Sequence, residues 1–170
     1  STAVQMALGD ALAMCLMEAK GFGADDFAKF HPGGALGRRL TVRLIDLIDS
    51  ERKPSVRFDS QIQDVLMSMT AGRYGATAVV DSESNIVGII TDGDLRRALV
   101  EGNAVNSTAE KIMTPKPFAM IGTELAAHAA KMIENKGISQ IIVTHENGGY
   151  IGMVHLHDLV REGVTQTTTK

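Results

Sequence analysis

The ten residues "GIITDGDLRR", Gly88 to Arg97, return sixty-four residues later as "GMVHLHDLVR", Gly152 to Arg161. Glycine, aspartate, leucine and arginine keep their offsets. An internal repeat limits the possible folds more than any single motif, because each copy must bury its apolar face against the other. The flanks repeat too. In the first copy Ile62, Val65, Leu66 and Met69 fall at i, i+3, i+4 and i+7 and predict a helix. "GATAVVD" predicts a buried strand, "SESN" a turn, "IVGIIT" a second strand, and "DGDLRRALVEG" a second helix closed by Gly102. In the second copy "ELAAHAAKMIENKG" predicts the helix, with Leu125, Ala129 and Met132 on one face. "ISQIIVTH" and "YIGMVH" are strands either side of "ENGG", and "LHDLVREG" is the last helix. "MTPKPFAMI" opens this copy as an extended, proline-restrained segment, with "KPSVRF" as its counterpart. A unit this small buries little core alone. Two copies packed sheet to sheet share a core about a pseudo-twofold axis and leave clefts between them. The fold class is α+β (α/β).

Residues 1–40 lie ahead of the repeat. "VQMALGDALAMCLMEAKGF" predicts a helix that is apolar nearly all round and therefore suited to burial. "GFGADDFAKFHPGG" predicts a short helix stopping before Pro32, and "ALGRRLTVRLIDLID" a basic connector leading into a short apolar helix. The copies are assigned to 41–105 and 106–164, and the tail 165–170 is expected to be disordered.

Composition narrows the function classes. The 170-residue chain carries a formal charge of -3, which disfavours a nucleic-acid partner. Aromatic residues make up 4% and Trp is absent, so the core is aliphatic and Met-rich, with Met67, Met69, Met132 and Met153 read as filler. One cysteine, Cys15, allows no disulfide framework and fits a reducing cytoplasm. No apolar run is long enough to span a bilayer, and no signal peptide is evident.

The turns hold the candidate chemistry. Thr91 with Asp94 three residues on is a capping-box pattern. The same geometry suits a ligand: free N–H groups and a Thr hydroxyl for a phosphate, an acid for ribose hydroxyls, and Gly93 for close approach. In the second copy Asp158 is kept but the cap position is His155, a poor N-cap. An acid kept without its capping partner favours ligand contact, and His155 could bond a phosphate or a sugar acid. "HLHD" also suggests a metal through His155, His157 and Asp158, but the two histidines straddle a strand end and no further Cys or His is close in sequence. Arg96, Arg97 and Arg161 read as a solvated helix face, with the sharper alternative that one of them closes on a phosphate; Arg73 is a comparable candidate. His128 is expected at the surface or partly buried, and His145 exposed.

"GIITDGDL", "GMVHLHDL" and the "KIMTP" that opens a copy resemble a tandem CBS-domain pair, or Bateman module. The resemblance covers about residues 41–164, with His155 departing from the usual Thr or Ser. It implies that adenosine nucleotides or related molecules bind in the cleft between the copies, touching Thr91 and Asp94 and, by position, His155 and Asp158. The stretch "ALGDALAMCLMEAKGFGADDFAKFHPGGALGRRL" is similar to the end of the sugar isomerase (SIS) domain of D-arabinose 5-phosphate isomerases, which carry a CBS pair directly after it. Those enzymes make arabinose 5-phosphate from ribulose 5-phosphate, the entry to Kdo, an acidic sugar of Gram-negative lipopolysaccharide or capsule. They need no cofactor for catalysis, and their catalytic His in "HPGG" maps to His31. An imidazole tuned near neutral pH suits the enediol chemistry of aldose–ketose isomerisation. Since most of a SIS domain is absent, the chain is expected to be a regulatory fragment, inactive by itself. The resemblance further implies a nucleotide or nucleotide-sugar ligand such as CMP-Kdo or AMP, a homodimer of CBS pairs, and a homotetrameric parent enzyme. The alternatives are a purely structural, oligomerising module and a metal protein.

Overall fold

The computed structural model describes residues 1–23, 26–27, 30, 34–102 and 107–165. His31, the candidate catalytic residue, lies outside them, as do residues 166–170 of the tail. The chain divides into two units, Ser1–Thr41 and Val42–Lys170.

In the first unit, helix α1 spans Thr2–Ala19 and α2 spans Ala35–Thr41. The apolar residues of α1 fall all round its axis, and no residue of it is buried. Val4, Met6, Leu8, Leu12, Met14 and Leu16 are each more than half exposed. Cys15 is exposed on the same helix. The Phe22 and Phe30 rings stack beyond it, their centroids 6.1 Å apart.

The second unit is the repeat. A 3-10 turn, Leu44–Leu47, leads into strand β1 (Ser55–Arg57), helix α3 (Ile62–Gly72), strands β2 (Ala76–Val80) and β3 (Ile86–Thr91) and helix α4 (Asp92–Val100). The second copy follows with α5 (Ala109–Ile112), β4 (Thr114–Pro115), β5 (Ala119–Ile121), α6 (Ala126–Lys136), β6 (Gln140–Thr144), β7 (Tyr150–His155) and α7 (Leu156–Arg161). The sheets run β1-β2-β3-β4 and β5-β6-β7. In each, the first pairing is parallel and the next antiparallel. The offset of sixty-four holds at the level of register: Ala78 pairs with Ile89 as Ile142 pairs with Met153. Even the irregularity recurs, between Val79 and Val80 and between Val143 and Thr144. Both first helices end on a left-handed residue, Arg73 at φ 57° and Gly137 at φ 61°.

The leading segment of each copy packs on the other copy. Leu44, fully buried, belongs to the second copy's core with Met120, Ile141, Val143 and Leu159. Its backbone N–H donates to Glu124 O at 3.0 Å. Ala109, fully buried, joins Val56, Val65, Val79 and Ile90 of the first copy, and its N–H donates to Ser60 O at 2.9 Å. A third cluster bridges the sheets through Tyr74, Ala76, Ala78, Ile142 and Met153. Two assignments from periodicity are corrected. Leu66 (47% exposed) and Met67 (71% exposed) stand outside the core, because the buried face of α3 is set by Val65, Met69 and Gly72.

Candidate functional site

Thr91 ends β3 and begins α4 in extended conformation, so its side chain lies over the helix's free N–H groups. Its Oγ1 accepts from the Asp94 N–H at 3.4 Å. Asp94 Oδ2 accepts in return from Thr91 N at 2.8 Å and Thr91 Oγ1 at 2.6 Å. Asp94 Oδ1 accepts from Arg97 Nη2 and, at 3.1 Å, from Thr114 Oγ1. Thr114 is in reach because β4 pairs with β3 at Ile89. A carboxylate only 5% exposed is thus held by four donors, as a buried charge must be.

The second turn caps as well, which corrects the expectation that Asp158 lacks a capping partner. His155 Nδ1 accepts from the His157 N–H at 3.1 Å, and His155 N donates to Asp158 Oδ2 at 3.0 Å. Imidazole is a poor cap in general, but a neutral ring carries one acceptor nitrogen. The surroundings keep it neutral: burial, His157 and Arg52 lower the His155 pKa, and Asp158 opposes them. The two rings stack, with centroids 4.8 Å apart. His155 Nδ1 is engaged as the cap, and among the described residues no group of three His, Cys, Asp or Glu is placed to hold a metal. Asp158 Oδ1 accepts from Arg161 Nη2 at 3.2 Å, matching the Asp94–Arg97 pair.

Two clefts meet at these turns. One, of about 240 Å³, is lined by Ile89, Thr91, Asp94 and Arg97 of the first copy and by Thr114, Lys116, Phe118, Ile138 and Gln140 of the second. The other, of about 440 Å³, is lined by Arg73, Tyr74, Gly75, Thr91, Asp92 and Gly93 together with Ser139, Gln140, His155 and His157. Thr91 and Gln140 border both, so the clefts adjoin. Of the predicted site residues, Thr91, Asp94 and Arg97 come together in the first cleft, and Arg73, His155 and His157 join Thr91 in the second. Asp158 lies behind the His155 cap. Arg73 is exposed, with its guanidinium in no hydrogen bond among the described residues. His128 and His145 are at the surface as expected. Sequence reasoning missed Phe118, Ile138, Gln140 and Lys116. The proline-restrained "TPKPF" was the available signal, since an extended segment beside a strand end forms a wall.

A model of the CBS domain matches residues 46–101 and 109–164. The chain belongs to the CBS domain family. It is similar to the arabinose 5-phosphate isomerase KdsD of Pseudomonas aeruginosa, 43% identical over 96% of this chain and 51% of that protein. It is 36% identical to KpsF, an arabinose 5-phosphate isomerase of Escherichia coli O6:H1, over 93% of this chain and 48% of the relative. The chain spans about half the length of the curated relatives it matches. Among solved structures, a CBS domain protein of Pyrobaculum aerophilum complexed with AMP aligns at a TM-score of 0.63 and 20% identity, covering 69% of this chain and 90% of that one. The CBS domain of a bacterial CNNM/CorC family Mg2+ transporter in complex with ATP aligns at 0.64 and 21% identity, covering 76% and 92%. These structures share the fold of the pair. No described helix is long and apolar enough to cross a membrane.

Proposed function

We propose that this CBS pair is the regulatory part of an arabinose 5-phosphate isomerase and that it binds a nucleotide or nucleotide-sugar where the two clefts adjoin. The adjoining clefts carry this reading. The smaller has apolar walls in Ile89, Phe118 and Ile138 for a base, with a carboxylate beside them. The larger begins at the N-terminus of α4, where Thr91 and Gly93 favour a phosphate, and continues to Arg73, His155 and His157. A nucleoside monophosphate uses the first cleft and the turn. A longer anionic ligand such as CMP-Kdo also reaches Arg73 and the histidines, whose charge and donors suit a sugar acid. Neighbours of the same fold complexed with AMP and ATP support the nucleotide class. In the whole protein, His31 is the proposed catalytic base for the interconversion of ribulose 5-phosphate and arabinose 5-phosphate, and the pair reports on a downstream product.

Thermal unfolding with CMP-Kdo, CMP, AMP and ATP, one at a time, tests this. A ligand at a hundredfold excess over its Kd adds about 2.7 kcal/mol, or roughly 5–10 °C for this size. A shift with CMP-Kdo that exceeds the shift with CMP supports the extended reading. A shift with adenine nucleotides alone indicates an energy sensor. No shift with any of the four removes the nucleotide reading.

A second reading, assembly of subunits, is favoured by the apolar side chains left exposed on the first copy's helices: Leu66, Met67, Leu99 and Val100. Their counterparts in the second copy are Ala130, Lys131, Gly163 and the fully buried Val164. Sedimentation of the Leu66→Lys/Leu99→Lys variant checks it, with a shift to monomer as the expected result.

A further inference from the structure

Because the copies correspond at a fixed offset, each wall of the smaller cleft has a counterpart. Ile89, Thr91, Asp94, Phe118 and Ile138 answer to Met153, His155, Asp158, Pro54 and Tyr74. At the place of Ile138 the other copy has the larger, aromatic Tyr74. Ile138 is partly buried and borders the open cleft. Tyr74 is 5% exposed and its ring sits in the cluster between the sheets with Ala76, Ala78 and Met153. It is held from the outside too. Arg52, at the position of Lys116, lies 4.7 Å over the ring centroid. Its Nε and Nη2 donate to Gly72 O at 3.1 and 3.0 Å, so the guanidinium is fixed in place. The charges of Asp158, Arg52 and Arg161, which would face a ligand in the second cleft, all act on the Tyr74 phenol. Burial, Asp158 and Asp49 raise its pKa, while Arg52 and Arg161 lower it. The Tyr74 ring thus packs between Met153 and Arg52, the counterparts of Ile89 and Lys116, which in the first copy border open space.

We infer that the module takes one ligand per chain, in the Thr91–Asp94 cleft, and that Tyr74 is a built-in plug of the equivalent cleft beside Asp158. This rests on the nucleotide reading above and adds to it which cleft is used and what closes the other. It also assigns the two turns different duties: the first meets the ligand's nucleoside, and the second presents His155 and His157 to whatever extends beyond the phosphate.

Titration calorimetry of the full 170-residue chain, with AMP and CMP as probes, tests the inference. The wild type is expected to bind one nucleotide per chain. Ile138→Tyr, which builds the same plug in the open cleft, is expected to bind none while unfolding at about the wild-type temperature. Tyr74→Ile, which copies the open cleft's residue, is expected to bind two. A wild-type stoichiometry of two overturns the plug and leaves the nucleotide reading standing, as does one-to-one binding that survives Ile138→Tyr. If Tyr74→Ile does not fold, the wild type and Ile138→Tyr decide the matter alone. If it folds and stays at one, the plug is overturned. No heat with either probe overturns the inference together with the nucleotide reading.

Discussion

The turns at Thr91 and at His155 occupy the same place in two copies of one fold and share the larger cleft, yet only the first also borders the smaller one, whose counterpart position holds a packed tyrosine. Both cap a helix, and both keep an acid paired with an arginine three residues on. The difference lies in the walls, chiefly Ile138 against Tyr74. Duplication supplies two equivalent clefts, and side-chain volume then decides which of them remains. The same contrast appears in the bonds of the acids. Asp94 is held by four donors, Asp158 by His155 N and Arg161.

That contrast predicts the largest difference. Asp94→Ala leaves the part-buried Thr91 N–H without its acceptor, removes the bond to the exposed Thr114 hydroxyl and takes away half of a capping box. It is expected to cost about 2–3 kcal/mol in urea unfolding. Asp158→Ala, with fewer partners, is expected to cost about 1–2 kcal/mol. Nucleotide binding should vanish in the first and persist in the second. Equal losses of stability would mean that the bond to Thr114 contributes little, and the asymmetry of the acids would then be confined to the cleft.

The next effect concerns Arg73 and Gly137, which end the corresponding helices at the same left-handed backbone angle. Only glycine adopts that angle without steric cost. The exposed arginine is therefore kept at some expense, and an unpaired guanidinium on the larger cleft gives a reason. Arg73→Gly is expected to stabilise the chain by about 0.5 kcal/mol, the steric gain less glycine's added flexibility. It is also expected to weaken CMP-Kdo much more than AMP. Loss of stability on this change would show that the Arg73 side chain serves packing instead.

Much of this was legible in the sequence. The repeat gave the element order and the paired sheets, because strands with buried faces and helices with one apolar face leave distinct periods. Thr91 and Asp94 were legible as cap and as candidate contact. The exchange of leading segments was not, since Leu44 and Ala109 look like ordinary apolar residues and only the tertiary pairing says which sheet they cover. The His155 cap was missed because a general preference was applied to a residue whose neutral form accepts a hydrogen bond. Tyr74 was missed because a ring in a two-tyrosine chain reads as core. It is core, and its position opposite Ile138 becomes meaningful only once the register of both sheets is known.

His155 sets a smaller effect, visible in pH. Its folded-state pKa lies below the ordinary value of 6.5, with burial as the main cause. As pH falls through 6.5 the unfolded chain takes up the proton first, so stability declines from there down to the folded-state pKa and is complete above 6.5. Protonation also removes the acceptor for the His157 N–H. His155→Thr, which makes the second turn like the first, is expected to flatten the dependence of the unfolding temperature between about pH 5 and 7. The exposed His128→Gln should leave it unchanged. An undiminished slope in His155→Thr would assign the dependence to another group.

The smallest effect on stability is expected at Arg97 and Arg161, whose side chains are 66% and 68% exposed. Solvent screens such pairs, and each alanine variant should cost less than about 0.5 kcal/mol. Binding is where they part. Arg97 borders the open cleft and reaches Asp94 Oδ1, so on nucleotide entry it can pass from the carboxylate to the phosphate with its charge kept paired throughout. Arg161 makes the same bond on the plugged side and has no ligand to turn to. Arg97→Ala is therefore expected to weaken AMP about tenfold, the loss of roughly one exposed charge-assisted bond, and Arg161→Ala to leave it within about twofold. Equal weakening by the two would put a phosphate within reach of both arginines and so return the second cleft to use.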